Sequence, residues 1–186
     1  MRRIIYGMFA SLDGYIAGPN GELDWPVIDE ELHRYVNEQE RAIDTLLYGR
    51  RMYEVMSYWS TADADPSLPE YELEFARIWQ RADKIIFSRT LERIEGNARL
   101  MRDVDPQEIA AIKARPGKDI EVGGADLAAT FMRLGLIDEY HAYVHPIVLG
   151  GGTPMFAPSR DRVPLRLVET RTFTSGVVLL RYEPQR

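Results

Sequence analysis

The apolar positions of this chain change period several times, and each change marks an element. Arg3-Ile4-Ile5-Tyr6-Gly7-Met8-Phe9-Ala10 is nearly continuous in apolar character, the pattern of a strand buried on both faces. Leu12 to Gly21 is broken up by Gly, Asn and Pro and reads as a loop without regular structure, closed by Trp25-Pro26. Ile28, Leu32, Tyr35, Val36 and Ile43 then recur at helical spacing, with Asp29, Glu30 and Glu31 where acids favour a helix start. Thr45-Leu46-Leu47-Tyr48 predicts a second strand ended by Gly49, and Arg51 to Tyr58 a short helix. A polar loop over Thr61 to Leu68 precedes an amphipathic helix through Tyr71, Phe75, Ile78, Trp79 and Ala82.

Lys84 to Ser88 and Ala98 to Met101 predict two further strands. Asp105-Pro106-Gln107-Glu108 opens a helix with a capping side chain, a proline at its first position and an acid three residues after the cap. Asp119 to Val122 reads as a strand that runs into Gly123-Gly124 and a helix from Ala125 to Leu134, with Gly135 as its stop. Glu139 to His145, Leu165 to Phe173 and Val177 to Tyr182 predict three final strands, the last two joined through Thr174-Ser175-Gly176 as a hairpin. Alternating strands and helices followed by a run of strands imply an α/β fold of one domain over 1–186, its sheet mostly parallel with antiparallel C-terminal strands. In such sheets ligands bind beyond the carboxyl ends of the strands.

Composition narrows the chemistry. The chain has no Cys, which removes disulfides, thiolate metal sites and cysteine nucleophiles. A formal charge of −6 and a pI near 5.2 argue against a general nucleic-acid or anionic-membrane surface. No apolar run approaches a membrane span and no signal peptide is visible at the N-terminus, so a cytoplasmic location is the expectation. The basic residues are 20 Arg against 3 Lys, a bias that base composition explains for the set as a whole. Only arginines at special backbone positions point to chemistry.

Three strand ends are candidate anion sites, two of them with such arginines. Val122-Gly123-Gly124-Ala125-Asp126-Leu127 is a strand, two glycines and a helix start, suited to close backbone approach by a phosphate. A tight strand-to-helix turn explains the same glycines. Gly49-Arg50-Arg51-Met52-Tyr53 repeats the arrangement with paired guanidinium groups, and cations at a helix start oppose the dipole, which favours a functional reading. Phe87-Ser88-Arg89-Thr90 places hydroxyl, guanidinium and hydroxyl after a third strand.

These same segments, together with Ala10-Ser11-Leu12-Asp13-Gly14-Tyr15-Ile16-Ala17 and the stretch from Leu136-Ile137-Asp138-Glu139 to Pro146-Ile147-Val148-Leu149-Gly150-Gly151-Gly152, resemble the dihydrofolate-reductase-like superfamily. The resemblance covers nearly the whole chain. It is strongest to the reductase domain of the riboflavin-biosynthesis deaminase/reductase, the RibD C-terminal domain, and its stand-alone relatives. It implies a three-layer α/β/α fold and an NADPH-dependent reductase. By resemblance Gly49, Arg50, Arg51 and Met52 hold the pyrophosphate and adenosine phosphate, and Ser88, Arg89 and Thr90 flank the adenosine end. Val122 to Leu127 lie along the pyrophosphate and nicotinamide, and backbone around Ala10 and Ile16 meets the nicotinamide carboxamide. The deaminase half is absent, since its zinc pattern needs Cys.

The substrate side is less defined. The family's acid early in the first helix has Asp29, Glu30 and Glu31 as candidates, all equally suited to a helix N-terminus. Asp13 or Glu30 is the candidate proton-delivering acid, and Trp25 and Tyr53 are candidate substrate-lining aromatics, with Trp59 beside them. Gly150-Gly151-Gly152 is either a site-lining loop or a wide turn. His141 and His145 stand four apart, about 13 Å on a strand, too far to share a metal ion. The expected reaction is hydride transfer to a C=N or C=O group of a small heterocycle, most like 5-amino-6-(5-phosphoribosylamino)uracil reduction. A pterin-type reductase and a non-catalytic NADP(H)-binding module are the alternatives. The resemblance implies that relatives of this branch often dimerise, and the C-terminal strands leave a sheet edge that a second copy would protect, so a homodimer is expected.

Overall fold

The computed structural model describes residues 1–94, 96–159 and 162–185. Six strands run parallel through the centre: β1 (Ile4–Ser11), β3 (Ile43–Gly49), β4 (Asp83–Phe87), β5 (Ala98–Met101), β6 (Asp119–Gly123) and β7 (Glu139–His145). β9 (Leu165–Thr172) and β10 (Val178–Pro184) form the hairpin predicted around Ser175 and extend the sheet antiparallel beside β7. The strand order is β5-β4-β3-β6-β1-β7-β10-β9. The carboxyl ends of all six parallel strands therefore open on one edge.

Alternate side chains of the central strands face two different helical layers. Ile4, Tyr6, Leu47, Ile85 and Val122 pack under α4 (Pro106–Ala114) and α5 (Ala125–Arg133), against Ile109, Ile112, Leu127 and Phe131. Ile5, Leu46, Tyr48 and Ile86 face the other way, toward α2 (Arg50–Met56) and α3 (Glu70–Arg81), with Trp79 as the largest contact. On the same face α1 (Glu30–Glu40) inserts Leu32 against Tyr143, Phe173 and Leu179. Each such aliphatic side chain, fully withdrawn from water, contributes about 1.5–3 kcal/mol. The result is the expected three-layer α/β/α arrangement.

Local chemistry sets the helix ends. Asp29 caps α1, its carboxylate accepting from Leu32 N at 2.9 Å. Asp105 caps α4 by accepting from Gln107 N at 2.9 Å, with Pro106 in the first helical position as expected. Three boundaries differ from the sequence reading. Ile28 precedes the Asp29 cap and Ile43 opens β3, so neither belongs to α1. Arg50 is inside α2, and Ser57–Ser60 continues it as a tighter 3-10 turn. The loop after β1 is also not wholly irregular: β2 (Tyr15–Ala17) pairs with β8 (Thr153–Pro154) as a separate small sheet.

Candidate active site

The turns singled out in the sequence all lie along the carboxyl edge, on strands that are neighbours. Reading across, the turn after β4 holds Ser88 to Thr90, that after β3 holds Gly49 to Met52, and that after β6 holds Gly123 and Gly124. The end of β1 with Asp13 and the end of β7 with His145 follow. Four strand spacings separate β4 from β7, about 19 Å in all.

The β3 and β6 turns touch. Gly49 opens α2 while Gly124 opens α5, and neither start is closed by a capping side chain. The free amides of the first turn of α5 thus remain available as donors. A Cβ on Gly123 would come within 2.8 Å of the Tyr48 ring and 3.2 Å of the Met52 methyl, so only glycine fits there. Gly124 has φ +93, a conformation that side chains resist, and Met52 packs directly over it. Behind them Val122, Ala125 and Leu127 are buried core and Asp126 is exposed. Tyr53 turns into the cluster of Met56, Trp59 and Trp79 under α2 and α3, on a different strand end from Trp25.

The charged residues divide by partner. Arg50 is bound by Glu54 at 2.7 Å, one turn along α2, and reaches the Thr90 hydroxyl at 3.2 Å, which links the β3 and β4 turns. Arg89 is paired with Asp103. Arg51 is exposed and has no ion pair among the described residues. Ser88 is buried, and its hydroxyl accepts from Thr90 N and Leu91 N, so it shapes the turn from within. Sequence reasoning missed Arg102, whose Nη1 donates to Ser88 O at 2.8 Å and Leu91 O at 2.6 Å and pins that turn. Its only local signal is its place just after β5.

At the β1 end the backbone is held by side chains. Asp13 accepts from the Ser11 hydroxyl at 2.6 Å, from Leu149 N at 3.1 Å and from Gly150 N at 2.8 Å. These bonds hold its carboxyl below the usual carboxylate range, the Ser11 bond foremost. Asp13 therefore fastens the Gly150-Gly151-Gly152 loop onto the sheet edge. That loop also packs tightly on β2, because a Cβ at Gly152 would lie 2.0 Å from Ala17 O. The buried Tyr6 hydroxyl donates to Met155 O at 2.7 Å and anchors the far side of the loop, and burial pushes its phenol well up. Ala10 is buried in β1 and Ile16 half-buried in β2, both beside this junction.

The acids of α1 are engaged too. Glu30 is exposed and bonded to Arg34 at 2.8 Å. Glu31 accepts from Thr174 N and its hydroxyl, tying α1 to the β9–β10 hairpin. Trp25 lies half-buried with its ring edge-on to His145, centroids 5.4 Å apart.

This order of turns along one parallel edge agrees with a match to the family model for the RibD C-terminal domain over residues 2–179. The chain belongs to that family. Bacillus subtilis YyaP is 40% identical over 184 residues, covering 97% of this chain and 94% of its own. Among solved structures, a putative riboflavin biosynthesis protein from Shewanella sp. PV-4 superposes with a TM-score of 0.77 at 23% identity, over the full length of both chains. The dihydrofolate reductase of Enterococcus faecalis in complex with NADP(H) superposes with a TM-score of 0.66 at 17% identity, covering 99% of this chain and 97% of that one. At these identities the structural likenesses establish the fold. Within this RibD C-terminal fold no helix of the described residues is long and apolar enough to cross a membrane.

Proposed function

We propose that this protein is an NADPH-dependent reductase that delivers hydride to a C=N or C=O group of a small heterocycle, most like 5-amino-6-(5-phosphoribosylamino)uracil reduction. The observation that carries the proposal is the row of turns on β4, β3 and β6, which lead without interruption to the β1 and β7 ends. Such an edge can take an extended dinucleotide and, beyond it, a second small molecule. The residues present fit that cofactor: the uncapped start of α5 offers backbone amides to a pyrophosphate, and Arg51, which has no ion pair among the described residues, can take a phosphate. Arg50 and Thr90 close the same side, while Arg89 must exchange Asp103 for any phosphate it reads.

When bound, NADPH supplies the hydride. The protein's part is to position and to exclude water. Gly123 and Gly124 let Tyr48 and Met52 pack directly onto the backbone, which holds the β3 and β6 turns together along the cofactor's path. Ala10 and Ile16 present backbone at the nicotinamide end. Asp13 holds the 149–150 backbone in place and is the acid nearest that junction, so it is the first candidate for orienting a proton-donating water; Glu30 is the second. Trp25 lies at the substrate end.

The test is titration of the purified protein with NADPH and with NADH, followed by quenching of Trp fluorescence. NADPH binds preferentially, and Arg51→Ala weakens NADPH about tenfold, the scale of one charged hydrogen bond, with NADH little changed. Binding of neither nucleotide refutes the reading. Equal affinity for the two refutes the role of the arginines.

A further inference from the structure

Beyond the dinucleotide turns, the β1–β7 end of the edge holds three buried polar atoms that find no hydrogen-bond partner among the described residues: Trp25 Nε1 and both ring nitrogens of His145. The other two histidines are not in this state. His33 Nδ1 meets Asn37 Oδ1 at 3.2 Å, and His141 Nε2 meets Glu139 Oε1 at 2.8 Å. His145 is only 1% exposed, lies opposite Ser11 in the sheet, and is walled by the Phe9 and Trp25 rings at 5.1 and 5.4 Å. Burial keeps the imidazole below its ordinary pKa, hence neutral, with one donor and one acceptor. A position needed only for packing would favour Phe or Leu, which carry no unmet polar atoms.

The surroundings are fixed on one side and loose on the other. Ile147 N donates to His145 O at 2.8 Å and Leu12 N to Ile147 O at 2.7 Å, so the strand end beneath is fastened. Trp25 stands on the stretch between β2 and α1, which has no regular structure and exposes Leu23 and Val27 on either side. From this loose side the Trp25 ring stands edge-on against His145.

We infer that His145 is a substrate-recognition residue, and that its imidazole together with the Trp25 indole N–H engages the polar edge of a planar heterocycle once Trp25 swings aside. Phe9 supplies the apolar wall. An indole donor beside the accepting nitrogen of an imidazole matches a cyclic amide, whose carbonyl accepts next to an N–H that donates. This assignment deepens the reductase reading and rests on it for the word substrate. Two of the three bonds missing in the free protein are then made by the ligand, and stability is given up for recognition.

The test uses the full chain with His145→Phe and His145→Gln. In thermal melts without ligand, His145→Phe is expected to match or exceed the wild-type Tm, because ring volume is kept and unmet polar atoms vanish. Binding is read from the imidazole 15N resonances and from calorimetry, with uracil and pterin as probes in the presence of NADP+. At least one probe shifts the His145 resonances, binds about tenfold more weakly to His145→Phe, and regains part of that loss in His145→Gln. A fall in Tm of more than about 3 °C in His145→Phe marks a structural imidazole and overturns the inference. So does the absence of a shift with both probes, or equal affinity in the variant. NADPH binding by the wild type is measured in the same samples: its loss would refute the reductase reading, whereas the probe results decide His145 separately.

Discussion

Glu139→Gln should cost about 3 kcal/mol of stability at pH 7, and two routes give that size. Glu139 begins β7 with its side chain 1% exposed. It accepts from Arg3 Nη1 at 2.6 Å, from Arg181 Nε and Nη2 at 2.8 and 2.5 Å, and faces His141 Nε2 at 2.8 Å. Burial alone would raise its pKa, but the His141 and Arg181 contacts prevail and bring it down from 4.5 to about 2. At roughly 1.4 kcal/mol per tenfold change, that depression corresponds to about 3 kcal/mol. Removing one partner from a buried ion pair costs about 3–5 kcal/mol, and the half-exposed Arg3 argues for the lower end. Because the folded pKa is depressed, this stability is complete above pH 4.5 and is lost as pH falls through about 2. The gap between wild type and variant should therefore shrink to about 1.4 kcal/mol at pH 3. Urea denaturation followed by circular dichroism at both pH values measures it. Glu139 and His145 stand at opposite ends of β7, about 20 Å apart, so nucleotide affinity of the folded variant stays at the wild-type level. A loss below about 1 kcal/mol at pH 7, or a gap that ignores pH, would refute the reasoning.

Two other perturbations separate the site from the scaffold. Gly124→Ala must place a side chain at φ +93 with its Cβ 3.4 Å from that of Met52, a strain of about 1–3 kcal/mol at the start of α5; calorimetry should show NADPH affinity falling with Tm, and an unchanged variant would remove Gly124 from the site. Glu121 in β6 shares a hydrogen bond with Glu40 of α1, and burial first, then the neighbouring carboxyl, pushes Glu121 well up. A raised carboxyl pKa gives stability that is full below 4.5 and lost as pH rises, so Glu121→Gln, which keeps a donor without needing a proton, should flatten that loss. Denaturation at pH 5 and pH 8 reads the slope, and an unaltered slope would show that the pair does not hold a proton.

What the sequence disclosed, and what it withheld, follows from the range of each interaction. α3, α4 and the apolar strands were legible because their signals are local: a period, a proline, a cap such as Asp105 bonding two residues onward. The extent of α1 was not, because Ile28 and Ile43 keep the helical period, and the Asp29 side chain on Leu32 N fixes the start. β2 was invisible because three residues show no period, and its partner Thr153–Pro154 lies far along the chain. The same division holds at the site. Glycines at the ends of β3 and β6 announced the turns, but the employment of each charged residue is decided by what the fold brings opposite. Arg50, Arg51 and Arg89 looked alike in sequence, yet Glu54 and Thr90 engage the first, Asp103 engages the third, and Arg51 remains. Asp13 read as a candidate proton-delivering acid; Leu149 N and Gly150 N, 136 and 137 positions away, give it a clamp to maintain whatever else it does. His145 is the converse case. Its spacing from His141 spoke only against a shared metal ion, and it becomes conspicuous only when every described neighbour has been placed and none of them meets its nitrogens.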